Sequence, residues 1–251
     1  MIRFACVVMS LALASSAQAI VGNAPQATGR AARSVVTIVG SRGNFCSGTL
    51  IAPDIVLTAA HCVQPGADYK LVRYDAQRTP QLTNIRRVAI HPQFTAAAIA
   101  QNRASADVAV VQLSEPLDGE STAATGIPSE PQVAGRPFSV IGVGVTRRGD
   151  GKSAGMARAA SLIATGRPGR LQIRLVDPAT NNIRDGLGAC TGDSGGPAIE
   201  DQNGRAVVIG VVSWSTGPNN AAGCGGLTGI TPLTLYRDWI VQTARGWGAR
   251  M

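Results

Sequence analysis

The sequence predicts an all-β protein, a barrel or a sandwich, on three observations. Short β-branched runs recur along the chain: "SVVTIVG", "VAVVQL", "FSVIGVGV" and "AVVIGVVSW". Each is bounded by turn residues and is too short for a helix, so each reads as a strand. The 30 glycines are enough to turn the chain between such strands. No helical segments alternate with the runs, which argues against parallel βαβ architectures.

The chain opens on a segment that is not part of this core. Met1 to Ala19 carries one charge, Arg3, then an apolar run from Phe4 to Ala14, then small residues at Ala17 and Ala19. That is the charged, apolar and A-x-A succession of a secretory signal peptide. The apolar run falls well short of the ~20 residues that a membrane-spanning helix needs. Every later apolar segment is interrupted by glycine, charge or proline, so no membrane span is expected. Residues 1–19 are expected to be removed on export to the periplasm or the medium, leaving 20–251 as the mature domain. Those 232 residues can build one large core or two small ones packed together.

Cys6 would leave with the signal, and Cys46, Cys62, Cys190 and Cys224 would remain. An even set in an exported chain reads as disulfides, and four cysteines allow three pairings. The rival, a zinc site, lacks both a C-x-x-C pair and histidines, of which there are 2. No metal and no cofactor is expected. The net charge of +8 becomes +7 without Arg3. The arginines are scattered, with no basic helix or aromatic-interleaved basic stripe, so nucleic acid is not an expected partner. Near the end, "LTLYRDWIVQTARGWG" is the clearest helix candidate, with Thr234 as cap and Leu235, Trp239 and Ile240 as the inward stripe.

Three segments could carry chemistry. "LTAAHC" sets His61 beside Cys62, "ADVAVVQL" sets Asp107 at the head of an apolar run, and "ACTGDSGGPA" sets Ser194 in a glycine-dense turn. Gly192, Gly195 and Gly196 suggest a backbone bent where side chains would clash, with amides free to point at a ligand. Such a turn suits a nucleophile beside an oxyanion hole. A serine needs a base, and the candidates are His61 and His91, both upstream of Ser194. "GDSGG" formally matches the G-x-S-x-G elbow of α/β-hydrolases, whose histidine follows the serine, so that reading fails. The order His, Asp, Ser remains. His61 follows the strand-like "IVLTAA" and is the better base, because His91 precedes Pro92 and suits a turn. Asp107 is the preferred acid, because the run behind it can anchor it in the core.

Together these segments resemble the trypsin/chymotrypsin family of serine proteases. "IVGN" is similar to that family's activated N-terminus, "CSGTLIAPDIVLTAAHC" to its histidine loop and "ADVAVVQL" to its aspartate strand. "CTGDSGGP" resembles the serine loop, "VVSW" the substrate-binding strand, and "GLTGITPLTLYRDWI" the run into the C-terminal helix. The resemblance implies two packed six-stranded antiparallel β-barrels with a C-terminal α-helix, and catalysis at their seam. It implies Ser194 as nucleophile, His61 as general acid/base, Asp107 as orienting carboxylate, and the amides of Gly192 and Ser194 as oxyanion donors. Ser213, Trp214 and Ser215 would hold the substrate backbone. The implied disulfides are Cys46–Cys62 and Cys190–Cys224. Polypeptide substrates and proteinaceous inhibitors are the implied partners, and the enzyme is expected to be a monomer. Calcium is not implied, because Asp68 to Arg87 lacks a carboxylate cluster.

The resemblance also gives "AQAIVGN" a meaning. The amine freed at Ile20 would fold inward and pair with Asp193, ordering the oxyanion hole, so that signal removal is itself the activating cut. At the base of the primary specificity pocket stands Gly188, with Ser215 and Gly229 as its expected walls. Without a carboxylate there, cleavage is expected after apolar residues, aromatic or medium aliphatic, and not after Lys or Arg. Val143 stands where relatives often carry Trp.

Overall fold

The computed structural model describes residues 20–74, 79–101, 103–117, 122–126, 134–166 and 171–250. The expected signal peptide, residues 1–19, lies outside the described residues. Strands β1 (Val35–Gly40), β2 (Phe45–Ala52), β3 (Ile55–Thr58), β4 (Tyr69–Tyr74), β5 (Pro80–Ile90) and β6 (Ala109–Leu113) close into one antiparallel barrel. Its order is β1-β2-β3-β6-β5-β4. After the two-residue β7 (Ala124–Thr125) come β8 (Pro137–Gly142), β9 (Arg158–Ala164), β10 (Ile173–Val176), β11 (Pro197–Gln202), β12 (Arg205–Ser215) and β13 (Thr228–Pro232). These six close in the order β8-β9-β10-β13-β12-β11, the winding of the first barrel repeated, and β7 adds to β12 in parallel. The expected fold of two six-stranded barrels holds. Closure leaves neither sheet with an open edge among these ladders.

The period-2 alternation of strands sorts the side chains into three cores. On β6, Ala109, Val111 and Leu113 enter the first barrel's interior, while Val110 turns outward. On β12, Val207, Ile209 and Val212 enter the second barrel, while Val208 and Val211 turn outward, the alternation changing phase at a β-bulge against Ala198 and Ile199 of β11. The outward sets meet Ile55 and Leu57 of β3 and Ile141 and Ile199 of the second barrel in a seam between the two. Strands β3, β6 and β13 are buried on both faces, and β3 and β6 read as nearly continuous apolar runs, not alternating ones.

The C-terminal helix α3 (Arg237–Gly246) closes one end of the seam, but with a different stripe from the expected one. Leu233 sits in a preceding 3-10 turn, and Leu233, Tyr236, Ile240 and Ala244 are buried. The helix begins after Thr234, which does not cap it. The i, i+4 spacing from Tyr236 puts Ile240 and Ala244 on one face, and Leu235, one position off, is exposed. Trp239 packs only partly against the seam. Two five-residue helices, α1 (Gly29–Arg33) and α2 (Ala96–Ala100), were not legible, because neither is long enough for a helical period to show. No helix among the described residues is long and apolar enough to cross a membrane.

Candidate active site

His61 is delivered by the end of β3. The strand stops at Thr58, and a single 3-10 turn, Ala60–Val63, carries the imidazole out of the first barrel. A disulfide between Cys46 on β2 and Cys62 in that turn fixes it from behind. Asp107 precedes β6, which pairs with β3, so histidine and aspartate reach the same barrel end on neighbouring strands. Asp107 is fully buried, and three donors meet its carboxylate. His61 Nδ1 lies 2.8 Å from Oδ2, the His61 backbone N–H donates to Oδ1 at 3.0 Å, and Ser213 Oγ donates to Oδ2 at 2.5 Å. Ser213 belongs to β12 of the second barrel, so this carboxylate ties the two barrels together. Nδ1 is thereby the protonated nitrogen of a neutral His61.

Ser194 stands in the turn between Cys190 and β11. Gly192 and Gly195 have φ of +94° and +81°, where side chains are strained. A Cβ on Gly192 would also come 2.6 Å from the Phe45 ring. The turn is closed by Asp193 N–H to the Cys190 carbonyl at 3.0 Å and Gly196 N–H to the Asp193 carbonyl at 2.9 Å. Among the described residues, the amides of Gly192 and Ser194 donate to no protein acceptor. Ser194, Gly192, His61, Ser215 and the disulfide residues Cys46 and Cys190 line one cleft of about 340 Å³.

Asp193 points away from that cleft and is fully buried. Its Oδ1 accepts from Gly144 N–H and its Oδ2 from Cys190 N–H, both at 2.8 Å. Burial pushes its carboxyl up to about 7, and the two backbone bonds only partly offset this. Side chains at Gly142 or Gly144 would collide with Asp193. The glycines of "IGVGV" therefore make room for this carboxylate, a role that sequence reading missed; their alternation around Val143 was the available signal. Ile20 is also fully buried, in the second barrel's core, and Val21 N–H reaches the Gly188 carbonyl at 3.1 Å.

The expected pocket residues separate. Trp214 and Ser215 lie on β12, paired with Gly229 and Thr228 of β13. Gly229 lies against the Trp214 indole, where a side chain would collide with the ring. It is not the glycine beside Gly188. That neighbour is Gly225, whose Cα would sit 3.1 Å from a Cβ at position 188. The difference comes from the "STGPNNAAGC" loop, which returns through the Cys190–Cys224 disulfide and sets Gly225 against Gly188. The one metal-like grouping among the described residues, Cys46, His61 and Cys62, has both sulfurs bonded to each other.

Two barrels of one winding, with a buried aspartate from the first holding a partly exposed histidine that shares a cleft with a serine in a glycine turn of the second, define the chymotrypsin-like class of serine endopeptidase. The comparison with known sequences agrees. The trypsin family model matches residues 20–240, and the chain belongs to that family. It is 29% identical over 215 residues to the snake venom serine protease rhinocerase 4 of Bitis rhinoceros, covering 83% of this chain and 81% of that one. It is 28% identical over 226 residues to coagulation factor IX of Cavia porcellus, covering 81% of this chain and 74% of that one. The chain is a serine endopeptidase that hydrolyses peptide bonds.

Proposed function

We propose that hydrolysis proceeds through Ser194, His61 and Asp107. The mechanism follows the family's template. Ser194 Oγ attacks the scissile carbonyl while His61 Nε2 takes its proton. The tetrahedral oxyanion is met by the amides of Gly192 and Ser194. Nε2 then returns the proton to the departing amine, the C–N bond breaks, and an acyl-enzyme on Ser194 remains. Water, deprotonated by the same nitrogen, releases the acid and restores the serine. Asp107 keeps the proton on Nδ1 and stabilises the imidazolium. Ser213, Trp214 and Ser215 would pair with the substrate backbone as an added antiparallel strand. The observation that carries this reading is the carboxylate of Asp107, which holds Nδ1 and leaves Nε2 for the serine. Covalent labelling by a sulfonyl fluoride tests it. Modification of Ser194, abolished by His61→Ala, is the expected result, and unlabelled, correctly processed protein would defeat the assignment.

The same reading extends to activation and specificity. Residues 1–19 are a signal peptide, and cleavage after Ala19 frees the Ile20 amine to pair with Asp193, so export and activation are one step. A buried carboxylate whose two hydrogen-bond donors are both neutral supports this, since a cation would relieve its desolvation. The enzyme acts as a monomer on polypeptides, cutting after apolar residues. The main-chain contact between Gly188 and Gly225 supports that preference, because it brings no carboxylate to meet Lys or Arg.

A further inference from the structure

One buried hydroxyl of the first barrel reaches the nucleophile's turn, and the triad chemistry leaves it without a task. Ser47, on β2, is fully buried. Its Oγ donates to the Gly192 carbonyl at 2.8 Å and accepts from Val143 N–H at 3.0 Å. Its backbone N–H donates to the Ser194 carbonyl at 2.8 Å, and its own carbonyl accepts from Thr58 Oγ1 at 2.8 Å. One residue thus holds the carbonyls of both residues whose amides face no protein acceptor. It does so from the barrel that carries His61, and Thr58, which holds Ser47 in turn, ends the strand leading to that histidine.

The opposite side of the turn is held by Asp193. The successive amides of Val143 and Gly144 divide between the two clamps, the first to Ser47 Oγ and the second to Asp193 Oδ1. A peptide plane is rigid, so fixing the Gly192 carbonyl fixes the plane that joins Gly192 to Asp193. Gly192 at φ +94° has no side chain of its own to hold that plane. Preorganised donors stabilise a developing oxyanion only if they do not have to turn toward it during reaction.

We propose that Ser47 is a positioning residue for the oxyanion hole. Its hydroxyl anchors the Gly192–Asp193 peptide plane, which lies between the planes that carry the Gly192 and Ser194 amides, and so sets those amides in register with His61 while touching neither substrate nor reacting atoms. The assignment rests on the proposed roles of Ser194 and the two amides. Processed Ser47→Ala and Ser47→Thr enzymes test it, each counted by a nitrophenyl-ester burst so that only competent molecules enter the rates. Ser47→Ala is expected to lose about tenfold to a hundredfold in kcat per titrated site with KM nearly unchanged, somewhat less than removal of a donor itself costs. Its affinity for a peptide trifluoromethyl ketone, which forms the tetrahedral adduct, should fall by the same factor, while product-peptide affinity stays. Ser47→Thr, which keeps the hydroxyl, should recover most of the loss. Unchanged kcat per titrated site with only a lower melting temperature overturns the assignment. So does a rise in KM alone, or an equal loss in both variants. A wild-type enzyme with no burst at all would strike instead at the triad.

Discussion

Asp107 holds His61 by two bonds at once, Oδ2 to the imidazole Nδ1 at 2.8 Å and Oδ1 to the same residue's backbone N–H at 3.0 Å. The second bond places the histidine's main chain, and the first selects its tautomer. Asp107→Asn separates the two functions. The amide oxygen can keep the backbone bond, while its NH₂ faces Nδ1 and forces the proton to Nε2, where it blocks the serine. In this family's template that exchange costs about 10⁴-fold in kcat, and a loss of that order, with KM and melting temperature little changed, is expected here. Steady-state kinetics beside a thermal melt check it.

Asp193 predicts different pH behaviour before and after processing. With Ile20 still in peptide linkage, burial holds the carboxyl near 7, above the ordinary carboxylate value. The folded precursor therefore binds more protons than the unfolded chain between about pH 4 and about 7. Its stability is complete below that window and declines as pH rises through it, by up to about 4 kcal/mol at 1.36 kcal/mol per unit. A free Ile20 amine would remove this slope by pairing with the ionised carboxylate, because a carboxyl held below its ordinary value titrates only under about pH 4. Urea midpoints of unprocessed and processed protein, both carrying Ser194→Ala to prevent self-cleavage, should separate from pH 5 to pH 7, with the fall confined to the unprocessed form. Ile20 itself supports the cut, since its φ of 48° is an outlier for a β-branched residue. That torsion ceases to exist once the Ala19–Ile20 bond is broken. The processed enzyme should then lose activity on the alkaline side as the amine, ordinarily near ~8, gives up its proton.

The parts of this molecule legible in sequence are those where chemistry and local pattern coincide. His61, Asp107 and Ser194 each sit beside a strand-like run or glycine turn, and β3 and β6 form within the runs that flank the first two. What stayed hidden is set by contacts between distant segments. Ser47 looks like any strand serine until β2 is laid against the 190s turn. Gly229 and Gly225 cannot be told apart until a disulfide fixes how the intervening loop returns. Leu235 and Tyr236 are both apolar enough for a buried face, and only the start of α3 at Arg237 decides between them.

The proposed preference for apolar residues involves that same loop. Introducing a carboxylate by Gly188→Asp is the obvious route to cleavage after Lys or Arg. Here a Cβ at position 188 would stand 3.1 Å from the Gly225 Cα and 3.3 Å from its nitrogen, both main-chain atoms that cannot swing aside. The variant should therefore gain little activity after Arg, well under the wild-type rate after apolar residues, and should lose activity on every substrate. Fluorogenic peptides ending in Arg, Phe, Leu and Ala, assayed with both enzymes, test this. Wild-type enzyme that prefers Arg would overturn the apolar reading itself.

His91 supplies a last expectation, distant in role from the catalytic turn. Its ring is buried edge-on between Tyr236 and Trp239, with centroids 4.8 and 4.9 Å away. Its Nδ1 accepts from Gln93 N–H at 3.2 Å, so the neutral ring is protonated at Nε2. Burial lowers the pKa of this imidazole from its ordinary value of 6.5. A histidine with a lowered folded pKa binds fewer protons folded than unfolded, so stability is present at neutral pH and is lost as pH falls below about 6.5. The charged ring would also surrender the Gln93 bond, loosening the contact between β5 and α3. Urea midpoints of the processed Ser194→Ala protein should drop between pH 7 and pH 5, and His91→Gln, which cannot titrate, should flatten part of that slope. Equal slopes in the two proteins would show that His91 contributes nothing to acid sensitivity and that another group carries it.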